Sequence, residues 1–143
     1  MKIALIPLDE RPVNTRYPRM IADIAGIDCD LPPLHILSDL REKNDHVKLY
    51  QWLDDVVTQV DILIISVEQF VYGGLIASRI SDDLTRTLFG HLAHLSRFNA
   101  QHPHLSILAF SVITRISNAD NNIEEPLYWD TQGVHLYRYS QLM

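Results

Sequence analysis

The strongest constraint on the fold of this chain is a pair of short apolar runs with almost no alternation. They are Asp61-Ile62-Leu63-Ile64-Ile65-Ser66 and Leu105-Ser106-Ile107-Leu108-Ala109-Phe110-Ser111-Val112-Ile113. A strand with one face in water alternates apolar and polar residues, whereas a strand covered on both faces does not. Each run therefore predicts a strand of a parallel sheet with helices on its two faces. A third run, residues 2–8, opens the chain and ends at Pro7 and the charged group Asp9-Glu10-Arg11. It is too short for a secretory leader, and acidic residues stand where a small-residue cleavage site would fall. Residues 27–31 make a short edge strand, ended by Pro32-Pro33.

Between these runs the spacing turns helical. Pro18 fits the first turn of a helix carrying Met20, Ile21, Ile24 and Ala25, and Gly26 supplies its stop. Residues 43–59 predict a second helix with Val47, Tyr50, Leu53 and Val57 on one face, widened by Trp52 and Val56. Residues 81–99 predict a third, capped by Ser81, with Asp82 and Asp83 at its positive end and a stripe of Leu84, Leu88, Leu92, Leu95 and Phe98. After Thr114 the chain becomes polar, with a last helical turn near 133–142. The alternation predicts an α/β fold: three layers and a mainly parallel sheet of about four strands, doubly wound in the Rossmann-like or flavodoxin-like manner, in the order 2-1-3-4.

Composition narrows the function classes. A length of 143 residues suits one domain over 1–143, and 47% hydrophobic residues can fill its core. A net charge of −6 argues against wholesale binding of nucleic acid. No apolar run approaches the roughly 18–20 residues that span a bilayer. The single Cys29 excludes an internal disulfide and suits a reducing, cytoplasmic setting.

Ligands of doubly wound sheets bind beyond the carboxyl ends of the strands, where the order reverses. The segments that follow residues 8, 66 and 113 therefore carry the candidate site. They contain Arg11, Arg79 and Arg115 and no lysine. Arginine offers a planar, permanently charged fork for carboxylate or phosphate. Asp9, Glu10, Glu68 and, further on, Glu125 supply carboxylates for proton transfer or for a divalent cation. Asn14, Tyr72 and Ser78 orient a substrate by hydrogen bonds, and Gly73-Gly74 allows either a tight turn or a close backbone approach to a ligand. No nucleotide-binding motif occurs, so the cofactor stays open beyond the divalent cation. His91, His94, His102 and His104 fall near the start of the fourth strand and read as packing or solvated groups, as does His35. Ser66, Ser78 and Ser117 lack a nucleophile elbow and a well-placed histidine. Cys29 reads as buried and inert.

Pro7-Leu8-Asp9-Glu10-Arg11-Pro12-Val13-Asn14 with Tyr17-Pro18, then Val71-Tyr72-Gly73-Gly74-Leu75-Ile76-Ala77-Ser78-Arg79, then Ala109-Phe110-Ser111-Val112-Ile113-Thr114-Arg115 continuing to Glu125-Pro126-Leu127-Tyr128-Trp129, together resemble an uncharacterised bacterial family, domain of unknown function 4127. The resemblance covers essentially the whole chain and brings no established activity. It implies that the chain corresponds to the N-terminal α/β portion of proteins several times longer, an incomplete domain. A sheet cut after four strands then exposes an edge and apolar surface, and the expectation is self-association or weak stability of the chain alone. The site chemistry predicts an enzyme, a hydrolase or group transferase acting on a small anionic metabolite. The alternatives are a non-catalytic anion-binding or regulatory domain, or an inactive truncated fragment.

Overall fold

A computed structural model describes residues 1–142. Four parallel strands, β1 (Lys2–Ile6), β2 (Asp28–Asp30), β3 (Ile62–Ser66) and β4 (Ser106–Phe110), form one sheet in the order β2-β1-β3-β4. The order is the one expected from the sequence. The register sets Ile3 against Ile62 and Ile62 against Ser106, so β1, β3 and β4 run level and end together.

The chain steps one way across the sheet from β1 to β2 and the other way from β2 through β3 to β4. Right-handed crossovers then place the connecting helices on opposite faces. Helix α1 (Arg16–Ile24) lies on one face, where Ala22 packs with Leu5 and Cys29. Helices α2 (His46–Val56) and α4 (Thr85–Gln101) lie on the other. There Leu49, Leu53, Val57 and Phe98 meet Ala4, Ile6, Leu63 and Ile65, all nearly excluded from water. Alternate residues of β1 and β3 thus feed two cores, which explains runs that do not alternate in polarity. Cys29 is buried as expected, and burial pushes its thiol pKa up.

Several local expectations are corrected. The second helix turns Leu49 and Leu53 inward and leaves Val47 exposed, so the buried stripe is shifted from the one predicted. The third predicted helix does not start at Ser81. Its hydroxyl bonds Asp83 instead, in a turn, and α4 begins at Thr85 after an extended Leu84. Residues 68–80, for which the sequence predicts no element, contain a wide helical turn, Glu68–Tyr72, and helix α3 (Leu75–Ile80). The last helix, α5, is longer than expected, Trp129–Ser140. The fourth strand is an edge: Leu108 is 54% exposed and Ile113 fully so, against the prediction of a run covered on both faces.

Candidate functional site

The strand ends are covered by four segments: residues 7–15, 37–45, 67–80 and the irregular stretch 111–128. Side chains from each segment tie it to the others. Asp9 is buried and accepts from the Arg11 backbone N–H (3.0 Å), from Arg11 Nε (2.9 Å) and Nη2 (2.6 Å), and from Asn14 Nδ2 (2.6 Å). The arginine grips with two nitrogens, the fork geometry that makes such pairs strong, and this hydrogen bond raises its pKa further. Arg11 and Asn14 are therefore both committed to Asp9.

Glu10 reaches the neighbouring loop. Its oxygens accept from Ser38 Oγ (2.9 Å) and from the Leu40 N–H (3.1 Å). Ser38 Oγ also lies 3.0 Å from the Gln69 amide. Its hydrogen-bond partner there is Gln69 Oε1, and a hydroxyl has one proton, so the carboxylate and the amide oxygen share it.

Gly73 and Gly74 follow the wide turn with φ of 90° and 147°. A Cβ at Gly74 would stand 2.5 Å from Ser38 Cβ, and one at Gly73 would stand 2.8 Å from Lys43 Cβ. Of the two roles open to this pair, the close approach is the one seen, and what is approached is protein: the 38–44 loop. Asn44 seals the contact, with its N–H donating to Gly73 O (2.9 Å) and Nδ2 to Gln69 O (2.7 Å).

Glu68 binds the other side of the crevice. It accepts from Ser66 Oγ (2.9 Å), Ser111 Oγ (2.7 Å) and the Val112 N–H (2.8 Å). Burial pushes its pKa up, but the hydrogen bonds from Ser111, Val112, its own backbone and Ser66 outweigh burial, and the net direction is down. Beyond Val112, Arg79 pairs with buried Glu125 through Nη2, and its Nη1 lies 3.8 Å from Glu124. Arg41 Nη1 donates to the carbonyls of Asn122 (2.5 Å), Ile123 (3.1 Å) and Glu125 (3.0 Å). Trp129 Nε1 donates to Ala119 O (3.0 Å) and completes the anchoring of this stretch.

The three arginines expected at one pocket are placed differently. Arg79 and Arg115 line one cavity of about 300 Å³ together with Val112, Thr114, Ser117 and Glu124. Arg11 is not among its lining residues, though Glu124 lies near enough to raise the Arg11 pKa. Arg115 is exposed and reaches only neutral acceptors, Asn118 Oδ1 (3.2 Å) and Ile116 O (3.5 Å). Tyr72 packs against the larger core, and Ser78 donates to Leu75 O within its own helix (2.7 Å). Sequence reasoning missed Arg41, whose partners are carbonyls some eighty residues away. It also missed Glu124, whose neighbour Glu125 is the buried one.

Among the described residues no cluster of three His, Cys, Asp or Glu side chains is placed to hold a metal ion, and no helix is long and apolar enough to cross a membrane. Two of the histidines set aside in the sequence pack between helices. His91 stacks on His46 with ring centroids 4.0 Å apart, and His94 stacks on Tyr50 at 3.8 Å.

Fold and site together define a parallel α/β domain whose strand-end loops are bolted together by buried carboxylates beside a small charged cavity. The chain belongs to the family described as protein of unknown function (DUF4127), whose family model matches residues 3–143. No curated protein and no solved structure matches it.

Proposed function

We propose that this domain binds a small molecule through an anionic group held at Arg115, beside the already paired Arg79, without chemistry of its own. The observation that carries the reading is the contrast between the arginines. Arg11 is committed to Asp9, and Arg79 pairs with Glu125 through one nitrogen and lies 3.8 Å from Glu124 with the other. Arg115 has no carboxylate partner among the described residues. An uncompensated guanidinium on a cavity wall, next to the hydroxyls of Thr114 and Ser117, suits a carboxylate or phosphate.

The enzymatic alternative needs Asp9, Glu10 or Glu68 to face a ligand as base, or to hold a divalent cation. Each of these carboxylates instead accepts two or more hydrogen bonds from the protein. Their geometry supports a structural role, joining loop to loop, and favours binding over hydrolysis or group transfer. Thermal unfolding in sodium propionate and in inorganic phosphate, at matched ionic strength, tests the reading. A ligand at ten times its Kd stabilises by about 1.4 kcal/mol, which is roughly 5 °C for a chain of this size. The shift is expected in the natural chain and lost in Arg115→Ala. No shift with either anion, or an equal shift in the variant, overturns the proposal.

The partner question has a second proposal, carried by β4. Its outer edge is unpaired, and residues 105–113 contain no charge to discourage pairing. Self-association through this edge follows from that pattern.

A further inference from the structure

We infer, resting on the anion site proposed above, that its ligand is a zwitterion of amino-acid size, with a carboxylate at Arg115 and an ammonium at Glu124. The charge count of the cavity leads there. Partly buried Arg79 and buried Glu125 neutralise each other. What remains on the wall is one positive group, Arg115, and one negative group, Glu124. Glu124 is half-exposed and accepts no hydrogen bond among the described residues, and its nearest cation is the already paired Arg79, at 3.8 Å.

A cavity carrying one free charge of each sign gains little from a simple anion. The attraction of Arg115 for a carboxylate is opposed by Glu124 across the same small space. A molecule bearing both charges satisfies both residues, and the wrong-charge analogue leaves one of them unpaired beside the ligand. The volume of about 300 Å³ sits at the lower bound for small-molecule sites, which suits a molecule of amino-acid size. Val112 supplies the apolar part of the wall, so a small aliphatic side chain fits there. A peptide terminus is a poorer occupant, because it carries only one of the two charges at its end.

The test uses three probes of one carbon skeleton: L-leucine, 4-methylpentanoate, which lacks the ammonium, and 3-methylbutylamine, which lacks the carboxylate. Affinities are measured by calorimetric titration of the full chain. L-leucine is expected to bind on the order of fivefold more tightly than 4-methylpentanoate, the ratio expected of one half-exposed ion pair. Glu124→Gln should erase that advantage while leaving 4-methylpentanoate bound as tightly as before, or more so. Arg115→Ala should weaken both acids. If 4-methylpentanoate matches L-leucine in the natural chain, and Arg115→Ala removes both, the zwitterion inference falls and the anion site stands. If none of the probes binds, the zwitterion inference falls, and the anion site falls with it when inorganic phosphate gives no thermal shift either.

Discussion

Acidification should weaken the α2–α4 interface before it reaches any carboxylate. His46 Nε2 faces the Phe70 carbonyl at 3.1 Å, and its ring is stacked on His91. Burial, the neighbouring His91 and Lys43 disfavour its charged form; the Phe70 carbonyl and Asp83 oppose them without prevailing, and its pKa falls to about 4. His91 moves the same way, mainly by burial, and Tyr50, whose pKa burial pushes up to about 12, supplies a hydroxyl 2.5 Å from His91 Nδ1. The unfolded chain takes up the His46 proton near pH 6.5, the folded chain only near pH 4. Stability is therefore fully present above pH 6.5 and declines as the pH drops from 6.5 toward 4. A fall of that size corresponds to ~3 kcal/mol, and screening of a partly exposed ring reduces it to ~1.5 kcal/mol. Urea unfolding at half-unit steps from pH 7.5 to 4.5 measures it. His46→Phe keeps an aromatic ring in the stack and removes the titration, so its curve should flatten over this window even though it starts lower for want of the Phe70 hydrogen bond. Parallel curves for the natural chain and the variant would refute the reasoning.

Gly74→Ala forces a Cβ to within 2.5 Å of Ser38 at a φ of 147°, so it should cost about 2 kcal/mol or more in urea unfolding; a loss within 0.5 kcal/mol would mean that the 38–44 loop yields. Glu68→Ala leaves the Val112 N–H and two serine hydroxyls without their carboxylate. It should cost about 1–3 kcal/mol and lower the hydrogen-exchange protection of Val112, whereas unchanged protection would show that the 111–128 stretch is held without Glu68. Leu108→Lys places a charge on the exposed edge strand and should shift sedimentation equilibrium toward monomer; identical mass distributions would remove β4 from the contact.

The inner strands were legible because β1 and β3 feed two cores at once, and a strand covered on both faces reads Ile-Leu-Ile-Ile. The same signature misled at β4, where an equally apolar run lies at an edge; periodicity reports which residues avoid water in the assembled protein, not which neighbour covers them. The helical content of 68–80 was hidden by Gly73-Gly74, which reads as a break and here joins a wide turn to α3. Ser81 resembles a helix cap in sequence but spends its hydroxyl on Asp83. At the site, the residue types were legible and their pairings were not. Asp9 with Arg11 is local and foreseeable. Arg79 with Glu125 spans 46 residues, and the bonds of Arg41 end on carbonyls, which every residue possesses. The division of labour followed from those pairings: Glu68, Glu10 and Asp9 went to structure, and Arg115 was left over.

The uncommitted guanidinium of Arg115 is the centre of this account, and its own side-chain NMR signal reports on it most directly. Titration of the full, isotope-labelled chain with L-leucine should move the Arg115 Nε–Hε resonance together with the backbone amides of Thr114 and Ser117, while the Arg11 resonance, locked on Asp9, stays in place. An Arg115 signal that does not respond at saturating ligand, or a response centred on Arg11 and Asn14, would contradict the assignment.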